Sequence, residues 1–351
     1  MAHDPARELL GDVARELAAE AGRDPQCVLA VDIGGTKFAA GLVGAHGQVI
    51  VAERVATPPG GDAAMLWKTL SDLIDVVLAR RPDARTVGVG VGCGGPMTWP
   101  EGAVSPLNMP GWRGFPLRER LAGRFPGVPV RVHNDAVCVA AAEHWRGAGR
   151  GSGNMLGMVV STGVGGGLIL GGRLIDGGTG NAGHIGHVVI DPDGPPCQCG
   201  GRGCLEAISR GPGLAAWALE RGWVPGATGA RPEGPYVEAA QASGRQLAAD
   251  AAAGDPVALA AFARAGRALG IGIASATHLC DLDVVTIGGG VSQAGSLLFG
   301  PLEEALRRHA RLGFAQRVRV VPAHLGQDAG LIGAAALVLR PTHYWTGPPD
   351  M

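Results

Sequence analysis

The 351-residue sequence carries almost no net charge, because 30 Lys and Arg residues nearly balance 31 Asp and Glu residues. A dedicated nucleic-acid-binding protein presents a strongly basic surface, so this balance argues against that class. The sequence also lacks an uninterrupted run of about 18 apolar residues, which a membrane-spanning helix needs. Its N-terminal segment contains acidic residues throughout and no continuous apolar stretch, so no secretory signal is predicted. We therefore expect a cytoplasmic protein with no nucleic-acid or membrane partner.

Glycine and proline, by contrast, are abundant, with 60 Gly and 25 Pro residues. Together they make up roughly a quarter of the chain, close to the level of low-complexity disorder. Disorder is not expected, because 46% of the residues are hydrophobic and only 17% are charged, whereas disordered chains show the reverse balance. The glycines are instead expected where the backbone needs an unusual conformation or a close approach.

Apolar periodicity divides the chain into two α/β lobes. A glycine-rich connector at residues 147–153 separates them, and residues 222–246 predict a mobile insertion, because they are rich in Gly, Pro and small polar residues. Residues 5–21 place apolar side chains at helical spacing ahead of the first strand. The predicted parts are an N-terminal helical extension (1–26), an N-terminal lobe (27–146) to which a helix at about 326–340 returns, a C-terminal lobe (147–325) and a polar tail (341–351).

Each lobe opens with the same sequence pattern. VLAVDIGGTKFAAGLV in the first half and LGMVVSTGVGGGLILG in the second each consist of an apolar strand, a turn of Thr and Gly, and a second apolar strand. A third glycine turn, Gly288 to Gly290, ends a later apolar strand. This internal duplication predicts a nucleotide bound between two related lobes.

The glycine turns carry the hydrogen-bond donors that a phosphate needs. Backbone N–H groups face outward in such turns, Thr36 adds a hydroxyl, and Asp32 is placed to hold Mg²⁺ through water. One such turn is equally well explained as a glycine hairpin beside a buried Asp. Three at the ends of apolar strands are similar to the two-lobed actin and hexokinase type of ATPase fold, whose first two loops hold phosphates and whose third adjoins the nucleoside. The resemblance implies ATP contacts from Asp32, Gly34, Gly35, Thr36, Lys37, Thr162, Gly163, Gly165, Gly166 and Gly289.

Three of the seven cysteines are clustered, which in a cytosolic protein indicates a metal site. His187, Cys197, Cys199 and Cys204 supply one imidazole and three thiolates, the ligands of a closed structural Zn²⁺ site with no open position for water. Three reduced cysteines near a histidine are the alternative, and a catalytic zinc is less favoured. The other cysteines are isolated in apolar surroundings and predict small buried hydrophobic residues; they are Cys27, Cys93, Cys138 and Cys280.

Taken together, these and further motifs resemble the ROK family of bacterial sugar kinases and sugar-responsive repressors, over about residues 28–340. The resemblance implies an ATP-dependent kinase of the sugar-kinase type or a related repressor. It is carried by DIGGTK, Gly94-Gly95-Pro96, Asn108-Met109-Pro110-Gly111-Trp112, His133-Asn134-Asp135-Ala136, STGVGGG and the signature H-x9-C-x-C-G-x2-G-C-x-E that ends at Glu206.

The resemblance also implies roles for residues in these motifs. Asp135 is the catalytic base, and Asn134 beside it binds sugar hydroxyls. A carboxylate next to an amide at a strand-to-helix break suits proton transfer from an attacking hydroxyl, although Asn-Asp is also a common helix cap with Asp135 as the N-cap. The other implied sugar contacts are Gly95, Asn108, His187 and Glu206, with His187 binding zinc through its second nitrogen.

One position departs from the family pattern. Kinases of this type usually carry Glu-x-Gly-His, with the Glu accepting hydrogen bonds from hydroxyls on the anomeric side of the ring, whereas this sequence reads His184-Ile185-Gly186-His187. A neutral imidazole offers one acceptor and one donor and is bulkier than a carboxylate, so an ordinary aldohexose is expected to fit less well. We therefore expect His184 to contact a modified sugar or a C7-cyclitol of the valienone or 2-epi-5-epi-valiolone type. Neutral drift at this position is the alternative.

Several other interpretations stay open. The substrate alternatives are those of a glucokinase or an N-acetylhexosamine kinase, and the phosphoryl donor is ATP or polyphosphate. A ROK repressor is disfavoured, because it needs a helix-turn-helix module, whereas only about 27 residues precede the first strand and their predicted helix is acidic. The family resemblance also implies a homodimer.

Overall fold

The computed structural model describes residues 26–228 and 243–347. The helix predicted at residues 5–21 and the central part of the predicted insertion at 222–246 lie outside these residues. The described chain forms two five-stranded sheets that share one plan.

The first sheet has five strands in the order β3 (Val49–Ala56), β2 (Lys37–Gly44), β1 (Gln26–Ile33), β4 (Arg85–Cys93) and β7 (Val130–Asn134). β1 pairs antiparallel with β2 and parallel with β4, so the DIGGTK turn joins two neighbouring strands. Helix α1 begins after Asp62, whose carboxylate accepts a hydrogen bond from the Met65 N–H at 2.8 Å. The elements of this part are β1 (Gln26–Ile33), β2 (Lys37–Gly44), β3 (Val49–Ala56), α1 (Ala63–Ala79), β4 (Arg85–Cys93), the short hairpin β5 (Met97–Thr98) and β6 (Ala103–Val104), α2 (Leu117–Arg124) and β7 (Val130–Asn134).

The second sheet repeats the arrangement, with the order β10 (Arg173–Leu174), β9 (Val164–Leu170), β8 (Met155–Val160), β11 (Val284–Gly288) and β12 (Arg319–Pro322). Its central strand β8 pairs antiparallel with β9 and parallel with β11, as β1 does with β2 and β4. The predicted duplication is therefore present in both topology and sequence. The elements are α3 (Asp135–Arg146), β8 (Met155–Val160), β9 (Val164–Leu170), β10 (Arg173–Leu174), α4 (Leu205–Ser209), α5 (Gly211–Leu219), α6 (Gly244–Ala252), α7 (Pro256–Cys280), β11 (Val284–Gly288), α8 (Ser296–His309), β12 (Arg319–Pro322), α9 (Ala329–Leu339) and α10 (Pro341–Tyr344).

Helices α3 and α9 cross between the two sheets. α3 packs on β8 and β9 of the second sheet, α9 packs on β1 and β4 of the first, and the two helices pack on each other. Glycines make these approaches possible, because a Cβ atom built on Gly157 would lie 2.5 Å from Cβ of Ala140, and one built on Gly333 would overlap the carbonyl oxygen of Cys138. Each helix thus lies almost directly on backbone, and the N-termini of both reach the space between the lobes.

The buried side chain of Glu143, near the end of α3, ties together the two places where the chain passes between the lobes. Its Oε2 atom accepts a hydrogen bond from the N–H of Ala148 at 2.8 Å, and its Oε1 atom accepts from the N–H groups of His324 and Leu325, both at 2.9 Å. A buried carboxylate must be compensated by such donors. Both connections between the lobes are therefore anchored on one residue.

Within the described residues, one helix is long and apolar enough to span a membrane by length and composition. It is α7, with a mean hydropathy of 1.4 over its most apolar window, and 61% of that window is buried inside the protein. α7 packs on α4, α5, α6 and α8. Its apolar character is accounted for by its position in the core of the second lobe.

The predicted polar tail begins with the short helix α10 and buries two aromatic side chains. Tyr344 is 3% exposed and Trp345 is 8% exposed. Large aromatic rings bury enough apolar surface to hold a terminal segment against a domain, which composition alone does not indicate for a tail rich in polar residues.

The close contact of α3 and α9 predicts a strong penalty for Gly333→Ala. The added methyl group must displace the backbone of Cys138, and we expect the free energy of unfolding to fall by about 1–3 kcal/mol or more. Gly123→Ala is the matched control, because Gly123 also lies in a helix but has open space around it; its stability should stay the same or rise by up to about 1 kcal/mol. Urea unfolding of both variants measures the difference. Equal stabilities would contradict the close packing.

Candidate active site

Asn134 and Asp135 lie where β7 ends and α3 begins. Asn134 is the N-cap, and its Oδ1 atom accepts a hydrogen bond from the N–H of Ala136 at 3.0 Å. Asp135 is the first residue of the helix, and its Oδ1 atom accepts from the same N–H at 2.9 Å. The alternative in which Asp135 is the N-cap is therefore wrong. Because Oδ1 of Asn134 faces the helix, its Nδ2 group is left to donate toward the space between the lobes.

Two carboxyl groups face this space from the first lobe. Burial raises the pKa of Asp135, and the hydrogen bond from Ala136 only partly offsets this effect. Burial also raises the pKa of Asp32 to about 7, the charge of Asp135 adds to the rise, and Lys37 and Arg54 act in the opposite direction. Two enclosed carboxylates that repel each other in this way favour a cation between or beside them. Asp32 thus suits the predicted role of holding Mg²⁺.

The first glycine turn is closed by its own backbone and by Thr57. The N–H of Gly34 donates to the carbonyl oxygen of Lys37 at 3.0 Å, and the Thr57 hydroxyl donates to the carbonyl oxygen of Gly34 at 2.7 Å. Thr36 is exposed at the tip. The turn is therefore rigid while its hydroxyl stays accessible, as a phosphate site requires. Sequence reasoning missed Thr57, because no local pattern links it to the turn.

The second glycine turn lies against the start of α3. A Cβ atom built on Gly165 would lie 2.7 Å from Cβ of Ala136, and one built on Gly166 would lie 2.9 Å from the carbonyl oxygen of Gly157. The N–H of Ser161 donates to the carbonyl oxygen of Gly163 at 2.8 Å and closes the turn. Side chains at these positions would push the turn away from Asp135.

A cleft of about 530 Å³ opens beside the second turn, within the 300–1,000 Å³ range of small-molecule pockets. Thr162 and Gly290 line it, but Gly289 does not; Gly289 has a φ of 94° and packs on the backbone of Val160. The predicted third loop therefore adjoins this cleft through Gly290. Sequence reasoning missed the other polar and backbone groups of the lining, which come from distant helices and include Gly211, Ser243, Arg245 and Gln293.

Predicted sugar contacts meet around Gly95. A Cβ atom built on Gly95 would lie 3.2 Å from Nδ2 of Asn134 and 3.7 Å from Nε2 of His184. The amide of Asn108 lies next to the first glycine turn, with its Cγ atom 2.6 Å from a Cβ built on Gly35. Asn134 and His184 therefore converge on Gly95, and we call the surroundings of these three residues the Gly95 space. Asn108 lies on the side of the first glycine turn.

His184 packs face to face with His187, with ring centroids 6.2 Å apart and planes inclined by 25°. Burial lowers the pKa of His184, and the neighbouring His187 adds to this effect. The side chain is therefore neutral near pH 7. Its Nδ1 atom is buried and makes no hydrogen bond of normal geometry among the described residues, although the backbone of Asn181 acts to raise the pKa of the ring. Its Nε2 atom is the nitrogen that lies toward Gly95.

The four predicted metal ligands form one cluster, in which the ligand atoms all lie within 4.8 Å of one another. Sγ of Cys199 and Sγ of Cys204 are 3.7 Å apart, and Nδ1 of His187 is 3.8 Å from Sγ of Cys197. Zinc–sulfur bonds of about 2.3 Å in a tetrahedron place two sulfur atoms roughly 3.8 Å apart. The residues therefore fit a structural zinc ion. Nδ1 of His187 faces the thiolates, which leaves Nε2 for the other side.

Glu206 connects this cluster to the second glycine turn. It lies in the first turn of α4, directly after Cys204, and its Oε2 atom accepts a hydrogen bond from the N–H of Val164 at 2.9 Å. This contact holds α4 and the turn at Thr162 and Gly163 in one position. Glu206 therefore has a backbone partner in the second turn, and its charge also acts on the imidazole of His184.

The raised pKa of Asp32 predicts a pH-dependent stability. Between pH 3.8 and about 7 the Asp32 carboxyl group keeps its proton in the folded state but loses it in the unfolded state. The free energy of unfolding therefore falls as pH rises through that window. Asp32→Asn removes the ionisation, and the nucleotide-free and magnesium-free variant should be more stable than wild type at pH 8, on the order of a few kcal/mol. The advantage should shrink toward pH 5. Urea unfolding at both values tests this, with Asp72→Asn on the exposed surface as the control; a wild type as stable as the variant at pH 8 refutes it.

Comparison with known proteins places this site in a family. The ROK family profile matches residues 28–341. The chain is 34% identical over 317 residues to the glucokinase of Thermotoga maritima, which covers 89% of this chain and 96% of that protein. It is 36% identical over 310 residues to the N-acetylmannosamine kinase of Shigella flexneri, covering 88% and 97%.

The fold agrees with a solved structure of the same family. The crystal structure of a ROK family glucokinase from Streptomyces griseus in complex with glucose and AMPPNP matches with a TM-score of 0.75 and 33% sequence identity, and the match covers 90% of this chain and 99% of that chain. The expected two-lobed hexokinase-like fold is therefore confirmed. Since the profile spans nearly all of the described chain and two relatives are more than one-third identical over most of their length, this chain belongs to the ROK family.

Proposed function

We propose that this protein is an ATP-dependent kinase that phosphorylates the primary, exocyclic hydroxyl of a hexose-like ring. The observation that carries the proposal is the position of Asp135 and Asn134, beside the second glycine turn on one side and the Gly95 space on the other. The glucokinase and N-acetylmannosamine kinase relatives support sugar phosphorylation. A cytoplasmic location and a homodimer stay predictions.

The arrangement suits an in-line transfer. Nδ2 of Asn134 donates to a ring hydroxyl, and the Asp135 carboxylate accepts the proton of the primary hydroxyl as its oxygen attacks the γ-phosphorus of ATP. The bond from that phosphorus to the bridging oxygen breaks, and ADP leaves. Mg²⁺, when bound, neutralises phosphate charge, and Asp32 is the carboxylate placed to hold it. The two glycine turns would orient the phosphates through the exposed Thr36 hydroxyl and through backbone N–H groups other than those of Gly34 and Val164, which already donate to Lys37 and Glu206.

The zinc cluster has an orienting role in this proposal. With Nδ1 of His187 on the thiolate side, Nε2 is the nitrogen left for a sugar hydroxyl, on a ring that packs against His184. If zinc binds, His187 and the three cysteines would fill its coordination and leave no position for water, and this would keep His187 and the start of α4 in place. No step of the phosphoryl transfer uses zinc.

We further propose that the acceptor is altered at the anomeric side of the ring, and a C7-cyclitol of the valienone or 2-epi-5-epi-valiolone type fits best. His184 stands within reach of Asn134 across Gly95, and its neutral imidazole is bulkier than the carboxylate usual at this position. A carbocycle lacks the ring oxygen and anomeric hydroxyl that a carboxylate would bind. A glucokinase or N-acetylhexosamine kinase activity is the alternative.

Asp135→Asn tests the catalytic base. The amide keeps the size of the side chain but cannot accept a proton, so kcat should fall by about 10²–10⁴ while the KM values change little. Because burial raises the pKa of Asp135, wild-type kcat/KM should decline with falling pH at values above the ordinary carboxyl range. A coupled assay of ADP release measures both, with ATP and polyphosphate compared as donors. Asp83→Asn, on the exposed surface, is the control; near-normal turnover of Asp135→Asn would refute the assignment.

A substrate panel tests the role of His184. Wild type and His184→Glu are compared on glucose, N-acetylmannosamine and 2-epi-5-epi-valiolone. If the imidazole selects against aldohexoses, the variant should gain about ten- to a hundredfold in kcat/KM for glucose and lose activity toward the cyclitol. His184→Gln, which has neither charge nor ring, separates the effect of bulk from that of charge. A wild-type preference for glucose would rule out the cyclitol proposal.

A further inference from the structure

Residues 341–347, which we call the C-terminal strap, lie across the seam between the two lobes. The hydroxyl of Tyr344 is 2.7 Å from Nδ1 of His144 in α3, and Nδ1 of His343 is 3.1 Å from the carbonyl oxygen of Gly172 in the second lobe. The ring of Trp345 packs on Trp99 of the first lobe, with centroids 5.9 Å apart. The ROK family profile ends at residue 341, so these contacts lie almost entirely beyond the part of the chain that it matches.

The strap ends on a chain of hydrogen bonds that runs from the exposed residue Thr346 into the buried pair Asp176 and His133. The Thr346 hydroxyl donates to Oδ2 of Asp176, and Oδ1 of Asp176 is 2.7 Å from Nε2 of His133. The backbone N–H of Asn134 donates to Nδ1 of His133 at 2.8 Å. Since Nδ1 accepts a hydrogen bond, it carries no proton, so Nε2 is the protonated nitrogen and donates to Asp176. Asp176 is 4% exposed and His133 is fully buried.

These bonds join parts of both lobes to the Gly95 space. His133 is in β7 and directly precedes Asn134, so its ring fixes the peptide that presents the Asn134 amide. Asp176 follows β10 and begins the loop that ends at His184. Its carbonyl oxygen accepts from the N–H of Ala182 at 3.0 Å, which folds this loop back on itself.

The same loop is pressed against the first lobe. A side chain at Gly180 would overlap the ring of Trp99, and Nδ2 of Asn181 donates to the carbonyl oxygen of Met97 at 3.5 Å. Trp99 is also the residue on which Trp345 packs. The strap therefore holds the start of the 176–184 loop through Asp176. Through Trp345 it also supports Trp99, against which the middle of this loop packs.

We propose that the C-terminal strap positions the two walls of the acceptor site, Asn134 through His133 and the His184 loop through Asp176. Thr346, Asp176 and His133 are positioning residues in this scheme, since none of them touches the reacting atoms. The proposal rests on the proposed kinase function, because it assigns the acceptor subsite of that site. All residues that line the cleft of about 530 Å³ beside the second glycine turn belong to the second lobe.

Kinetic separation of the two substrates tests this role. Thr346→Val removes the hydroxyl and keeps the shape, and it should raise the KM of the acceptor about tenfold while the KM of ATP stays within about twofold. Thr346→Ser keeps the donor and should restore the wild-type value. Thr277→Val is the control for loss of a threonine hydroxyl elsewhere in the protein, because the Thr277 hydroxyl donates to the carbonyl oxygen of Ile273 inside α7.

Removal of residues 345–351 gives a readout independent of activity. Hydrogen–deuterium exchange on the ligand-free protein should show faster exchange of the amides in residues 176–184, while α7 and α8 keep their protection. Unchanged exchange together with an unchanged acceptor KM overturns the proposal. Equal increases in both KM values with faster exchange throughout the chain also overturn it, because they indicate general destabilisation. If wild type phosphorylates no sugar or cyclitol, the proposed function fails, and the exchange data still decide whether the strap holds the loop.

Discussion

Helices α3 and α9 meet with almost no side chain between them, and the position of every candidate catalytic group depends on that contact. Gly333 packs on the backbone of Cys138, and Gly157 and Gly165 bring the second sheet against Ala140 and Ala136. Because backbone approaches backbone, the N-terminus of α3 carries Asp135 into the space between the lobes. The N-terminal turn of α9 lies there too, with Gly330 packed against the carboxylate of Asp32. Bulkier residues at these positions would move the two carboxyl groups apart.

That arrangement places two carboxyl groups in an enclosed space at a cost in stability. Burial and mutual repulsion raise the pKa of Asp32, and burial raises that of Asp135, so both groups are held in a less favourable state than in water. In the proposed reaction, a bound cation and a substrate hydroxyl would relieve this cost.

Much of the site follows from local sequence signals. The duplicated strand-turn-strand unit, the glycine turns and the cysteine cluster each depend on residues close together in the chain, and the structure places them as predicted in two related sheets and one compact ligand cluster. The structure gives the N-cap of α3 to Asn134, which removes the helix-cap alternative for Asp135. Two features differ from expectation: Gly290 rather than Gly289 lines the cleft, and the residues after 340 pack on the protein. The glycine that lines the cleft is one position further along the chain than predicted. The tail is held by an aromatic contact between Trp345 and the distant residue Trp99.

The sequence by itself determined the two-lobe plan, the glycine turns and the cluster of one histidine and three cysteines, because apolar periodicity, glycine and ligand spacing act over a few residues. Only the tertiary structure decided how these parts meet. His133 and Asp176 are 43 residues apart in the sequence, and Asp176 and Thr346 are 170 residues apart. No local sequence pattern therefore predicts that these residues form hydrogen bonds. Which polar groups form hydrogen bonds over such distances depends on how the two lobes and the strap pack, because a buried polar group needs a hydrogen-bond partner within the protein.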